Sequence, residues 1–216
     1  MNLRRRLAAA AASGVALALG ATVLAAAPAS ATTTAPGTRS LAAVLLSDGN
    51  QFDRNWNDYD IVTEAVLAVL AAKPSSPVKV VTDGNVALTA FLPRDDAFRR
   101  LVKDLTGTRP KTEKATFEAV AGLGIDTVET VLLYHVVPGA TITRAQALKA
   151  DGAKLTTALG STVKVDVTKR HGKRVIKLVD ADRTDRNPRV VKADINKRNK
   201  QIAHGVDRVL RPLDLP

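Results

Sequence analysis

Thr89-Ala90-Phe91-Leu92-Pro93-Arg94-Asp95-Asp96-Ala97-Phe98 is the stretch on which the fold turns. Its first four residues close a largely apolar run over 86–92 bounded by proline, the pattern of a buried strand. Two carboxylates follow the proline, where they can accept hydrogen bonds from the open N–H groups of a helix's first turn. Phe98, Leu101, Val102 and Leu105 then recur at the spacing of one helical face. A strand passing into a helix within ten residues requires a sheet with helices packed on it.

The same reading extends outward. Upstream, a brief helix is expected over 41–46, then a polar loop over 47–59. Asp60 can cap a helix on which Val62, Ala65, Val66, Val69 and Leu70 form the core stripe, and Pro74 and Pro77 end it. Strands are predicted over 78–81 and 86–92, joined by an Asp83-Gly84-Asn85 turn. Downstream, helices are predicted over 112–121, from a capping-box-like Asp126-Thr127-Val128-Glu129, and from Thr143 to Leu148. The period then falls from 3.6 to 2. Val163, Val165 and Val167 alternate with polar residues, and Gly172 marks the bend of a hairpin with 175–179. Further strands are expected over 189–193 and 202–210. Helices first and antiparallel strands after make an α+β chain, with no internal repeat and no linker.

Three segments of this chain resemble the fasciclin (FAS1) domain family. The opening stretch is similar to the family's T-x-F-A-P-T-[ND]-x-A-F box. Leu132-Leu133-Tyr134-His135-Val136-Val137-Pro138-Gly139 is close to L-x-Y-H-V-V-x-G, and His204-Gly205-Val206-Asp207-Arg208-Val209-Leu210 looks like the closing H-V-I-D-x-V-L. The resemblance covers 40–213. Leu92 and Arg94 depart from the first box, and Lys200-Gln201 replaces the Asn-Gly turn before the closing histidine. The resemblance implies a wedge of helices on an antiparallel β-sandwich, used for adhesion or matrix contact, with no enzyme activity and no cofactor.

The N-terminus bears on location. Arg4, Arg5 and Arg6 precede an uncharged Ala-rich run, and Ala29-Ser30-Ala31 follows Pro28. This is the build of a cleaved secretory signal over 1–31. A short flexible lead over 32–39 and one domain over 40–213 would remain. With no cysteine, disulfides and thiol chemistry are excluded. The Ala-, Val-, Arg- and Asp-rich composition suggests a bacterial source, so the expectation is a secreted or envelope-associated bacterial domain.

Charge is unevenly spread. Residues 32–163 hold 14 basic and 14 acidic side chains, whereas 164–211 hold 15 and six. Such a field attracts anionic polymers or surfaces. Lys169, Arg170, Lys173 and Arg174 fall at the hairpin tip, with Lys197, Arg198 and Lys200 expected nearby. These seven, with Tyr134 and His135, are the candidate binding residues. The partner class is an extracellular or envelope macromolecule, either an anionic glycopolymer or a surface protein. Aromatic residues are 3% of the chain and none lies among these cations, so nucleic acid is not expected.

The other constellations favour structure over chemistry. His135 follows Val128 by seven residues, the spacing of a core-side histidine. His204, Asp95 and Thr89 are expected to form a polar tie, since no G-x-S-x-G nucleophile accompanies them. Asp53, Asn55, Asn57 and Glu64 take positions 1, 3, 5 and 12 of a calcium loop, but Asp58 stands where glycine is needed and Asp60 starts a helix. The expectation there is a polar loop, with no metal. Two rival functions stay open: a carrier of a small apolar ligand or lipid, and an envelope hydrolase using Asp95 and Asp96.

Overall fold

The computed structural model describes residues 35–49 and 51–213. The expected export signal over 1–31 lies outside the described residues, as does the start of the lead. The chain forms α1 (Leu41–Leu45), α2 (Asp60–Ala72), β1 (Leu88–Pro93), α3 (Asp95–Thr106), α4 (Glu113–Ala121) and α5 (Ile125–Tyr134). There follow β2 (Val136–Pro138), α6 (Arg144–Ala147), β3 (Lys154–Thr156), β4 (Thr162–Arg170), β5 (Lys173–Val179), β6 (Val190–Ile195) and β7 (Gln201–Val206). The order is α+β, helices first and most strands after.

Two sheets result. One has the order β2-β1-β7-β6, the other β3-β4-β5. The larger is mixed rather than wholly antiparallel: β1 and β7 run parallel from Leu88↔Gln201 to Pro93↔Val206. Both central strands are buried along their whole length, the condition under which strands read as continuous apolar runs. Successive β1 side chains therefore serve different layers. Leu88, Ala90 and Leu92 enter a core with α2, α3 and α5, while Phe91 packs with Val163, Val165, Ile176 and Leu178 of the smaller sheet. Each fully buried Val, Leu or Ile in these layers is worth roughly 1.5–3 kcal/mol.

Local differences from the sequence-based expectation have identifiable causes. The stretch expected as a strand over 78–81 is a 3-10 helix, Pro77–Thr82. Pro77 opens it and the Ser76 hydroxyl accepts the Val78 N–H, a cap that outcompetes the β preference of three valines. Asp60 is the first helical residue of α2, and Asp95 Oδ1 accepts the Ile61 N–H at 2.9 Å. Asp95 thus caps α2 and not its own helix, whose N-cap, Arg94, makes no side-chain capping bond. Gly124 (φ 88°) starts α5 without the expected capping box, whereas Thr143 and Gln146 do form one at α6.

The described part of the lead is pinned down. Gly37 N–H donates to the Arg198 carbonyl at 2.7 Å, and Lys200 N–H returns to the Gly37 carbonyl at 2.9 Å. Gly84 permits this path, since a Cβ there would collide with the Thr38 carbonyl.

Candidate functional site

The β4–β5 hairpin turns through His171 (φ 48°) and Gly172 (φ 75°). Positive φ at both central residues is the geometry that matches the twist of two-residue hairpins. The register Lys169↔Arg174 and Arg170↔Lys173 puts four cations side by side at the tip. All four are exposed.

Facing the hairpin, Arg189 N–H and Leu178 N–H stitch the 185–189 segment into place. Leu178 donates to the Pro188 carbonyl at 2.9 Å, and Arg189 donates to Asp207 Oδ1 at 2.7 Å. The Arg189 guanidinium then grips Asp207 Oδ2 through Nε (2.9 Å) and Nη2 (2.6 Å). Behind it, Arg208 bonds both Asp185 oxygens at 2.6 and 2.7 Å. Arg211 (7% side-chain exposure) bonds Asp182 and Asp104, each at 3.0 Å.

Between hairpin and segment lies an open cleft of about 660 Å³. Seven cations line it (Arg100, Lys169, Arg170, Lys177, Arg186, Arg189 and Arg208) against two carboxylates, Asp185 and Asp207. Arg189, Arg208, Arg100 and Lys177 are held in ion pairs. Lys169, Arg170 and Arg186 have no such partner among the described residues, and all three are exposed. The cleft therefore presents three free cations over a floor of fixed ones. Cations held by neighbours lose little conformational freedom when an anion arrives.

The structure divides the sequence-predicted cations. Lys169 and Arg170 line the cleft. Arg174 turns away, donating to the Leu148 carbonyl. Lys197 pairs with Asp194 at 3.3 Å, and Lys197, Arg198 and Lys200 do not line the cleft. Arg186, Arg189 and Arg208, which do line it, were missed because each sits among acids that mask the charge in a local count.

Tyr134 and His135 are inside. Tyr134 is fully buried and donates to the Thr162 carbonyl at 3.1 Å. His135 closes α5, with Nδ1 at 2.7 Å from the Val131 carbonyl and Nε2 accepting the Leu210 N–H at 2.9 Å. Recognition through this pair has no exposed side chain on which to rest. Burial pushes the imidazole down from 6.5 to about 4, partly offset by the Val131 carbonyl.

The expected tie among His204, Asp95 and Thr89 does not form, since none of the three bonds another. His204 Nε2 lies 2.8 Å from the Ile142 carbonyl, and Nδ1 accepts the Asp194 N–H at 3.2 Å. Thr89 donates to the Ala140 carbonyl and accepts the Ile142 N–H. Both thus hold the 140–142 turn, while Asp95 is on the helical side. Asp96, its neighbour, pairs with Arg100 and Arg109. The two acids thus face different surroundings, and no common substrate bond lies between them.

The calcium-loop spacing is not realised as read. Asn55 N–H and Asn57 N–H fold back on Asp53 and Asn55. The loop's acids gather instead with residues from distant segments: one oxygen each of Asp58, Asp95 and Glu113 lies within 4.8 Å of the others, as does one each of Asp53, Asp58 and Asp60.

Three spaces between helices and sheets among the described residues measure about 20, 10 and 30 Å³. Each holds a water at most, whereas ligand pockets run to ~300 Å³ or more. No helix among the described residues is long and apolar enough to cross a membrane.

A family model described as the fasciclin domain matches residues 62–212. Among solved structures, the chain is similar to the FAS1 domain pair of the insect cell adhesion molecule Fasciclin I. The TM-score is 0.54 at 16% identity, covering 81% of this chain and 51% of that one. The chain thus spans about half the length of that relative, and the likeness speaks for the fold alone. No curated protein matches the chain.

Proposed function

The chain belongs to the fasciclin domain family, and from that premise we propose that it is an exported, non-catalytic adhesion domain that grips an anionic glycopolymer of the cell envelope. The observation that carries this reading is the cleft between the β4–β5 hairpin and the 185–189 segment, with seven cations against two acids. A flexible polyanion fits such a cleft because affinity comes from several modest charge contacts, each reinforced by fixed neighbours. Export rests on the residues 1–31 and on the family's adhesion type.

Two observations favour binding over its rivals. The cleft is lined by one hydroxyl, Thr168, and by no histidine, and its two carboxylates are engaged by arginines. A nucleophile with a base at hydrogen-bond reach is not assembled there. A carrier reading draws no support from the three interior spaces between helices and sheets, each 30 Å³ or less.

The test is binding of residues 32–216 to a polyanionic envelope glycopolymer and to a neutral polysaccharide, across a salt series. Expected are selective binding to the polyanion, weakening with salt, and a loss of at least tenfold in a Lys169→Ser/Arg170→Ser/Arg186→Ser variant. Equal binding by that variant, or equal binding to the neutral polymer, would refute the reading.

A further inference from the structure

The acidic pocket on the helical side is built in two tiers. At its mouth an open cavity of about 270 Å³ is lined by Gly49, Gln51, Asp53, Asp58 and Asp60. At its inner end Asp58 meets Asp95, the first residue of α3, and Glu113, the first residue of α4. Asp95 and Glu113 are fully buried, at 0% exposure.

Acidic residues in first helical turns commonly satisfy backbone N–H groups, and Asp95 Oδ1 does so toward Ile61. That accounts for one oxygen. Asp95 Oδ2, Asp58 Oδ1 and both oxygens of Glu113 are buried without a hydrogen bond of ordinary geometry, Asp58 approaching Asp95 and the Asp53 N–H approaching Glu113 only loosely. Carboxylate oxygens so placed are among the costliest groups to leave unmatched. No Lys or Arg among the described residues forms an ion pair with Asp58, Asp95 or Glu113. The nearby Arg94 guanidinium donates instead to Asn57 Oδ1 at 2.5 Å. One oxygen from each of three segments far apart in sequence thus gathers within 4.8 Å of the others, with no ion-pair partner among the described residues.

We propose that Asp58, Asp95 and Glu113, with Asp53 and Asp60 at the mouth, form a calcium site. The donor set is all oxygen, which suits a hard divalent cation and not a metal that selects imidazole or thiolate. Calcium binds oxygens at 2.3–2.6 Å, so oxygens sharing one ion lie up to about 5 Å apart, and the 4.8 Å envelope fits. Magnesium demands a tighter, near-octahedral shell that this irregular loop does not preform. Bound there, calcium would tether the 53–60 loop to the starts of α3 and α4.

Burial pushes Asp95 up to about 9, reinforced by Asp58, and Glu113 up to about 7, reinforced by Asp58 and Asp53. A backbone N–H of Asp53 offsets part of the latter.

The experiment is calorimetric titration of residues 32–216, stripped with chelator, with CaCl₂ and separately with MgCl₂. Terbium is the optical probe, sensitised by Trp56, the sole tryptophan, in the same loop. One calcium per chain is expected, at Kd ~10⁻⁵–10⁻³ M, with magnesium at least tenfold weaker and the unfolding midpoint raised by calcium. Glu113→Gln keeps the shape, needs no counter-charge and should fold at least as well; calcium binding should fall at least tenfold. Asp53→Asn, at an exposed mouth position, gives a milder loss in a variant whose folding is not at risk. Absence of binding up to ~10 mM calcium overturns the proposal. So does binding unchanged in both variants, which would place the ion elsewhere.

Discussion

The backbone N–H of Leu210 donates to Nε2 of His135 at 2.9 Å, fastening the segment after β7 to the end of α5. With Nδ1 donating to the Val131 carbonyl, the ring is neutral and both nitrogens are used. The second and third sequence boxes meet at this bond, so their joint occurrence has a mechanical reason.

That pairing makes stability depend on pH. His135 is held at about 4 in the folded chain and titrates near 6.5 when unfolded. Between those values the unfolded chain binds more protons, so the contribution is whole above 6.5 and is lost as pH falls toward 4. The loss is of order 3 kcal/mol. His135→Gln, which cannot titrate there, should be less stable by about 2 kcal/mol near neutrality. Urea unfolding should show that gap closing near pH 5 and reversing by about 1 kcal/mol near pH 4; a constant gap refutes the assignment.

Gly205 stands where the family box has valine, and Tyr59 fills the space. A Cβ at 205 would overlap the Tyr59 hydroxyl, which is itself buried without a hydrogen-bond partner. Gly205→Ala should cost about 1–3 kcal/mol through overpacking, and Tyr59→Phe about zero or less. The double variant should recover part of the alanine penalty, because the residues share one space. Strict additivity in denaturation would show that they do not.

Arg211 anchors the acidic 180–185 turn from inside. Arg211→Met should destabilise by about 3 kcal/mol, since Asp182, Asp104 and Asp185 lose a shared cation. Lys114→Ala, which removes an exposed pair with Glu118, should change stability by less than about 0.5 kcal/mol. Hydrogen exchange should rise over 180–187 in the first variant alone.

Asp207 both braces the cleft and neutralises part of it. Asp207→Asn keeps an acceptor for the Arg189 N–H while removing a negative charge. Polyanion affinity should rise a few-fold while stability drops by about 1–2 kcal/mol. Weaker binding by a folded Asp207→Asn variant would contradict an electrostatic cleft.

Where a single local pattern decides an element, the sequence already carried it: the stripe of α2, the alternation of β4, the Gly172 bend and the α+β order. Where a competing local bond decides, it did not. Ser76 and Pro77 diverted a valine-rich run into a 3-10 helix, and Asp95 capped a helix 34 residues upstream. The parallel β1–β7 pairing was likewise beyond reach, because a buried run does not state its partner's direction. Sites split the same way. Lys169 and Arg170 were legible from clustering, but the cleft's opposite wall comes from a charge-balanced segment. The acids at 58, 95 and 113 have no shared spacing, and two of them look like ordinary helix starts.

The parallel register of β1 with β7 also sets an order of events. β1 lies mid-sheet, yet one of its neighbours is made of residues 201–206, which leave the ribosome more than a hundred residues later. Until then β1 offers an unpaired edge, and Ala203, Val206 and Leu210 are missing from the two cores. Such a long-range closure delays folding. A chain of this design keeps its larger sheet open until β7 has been made, and closes its two cores only when that strand arrives.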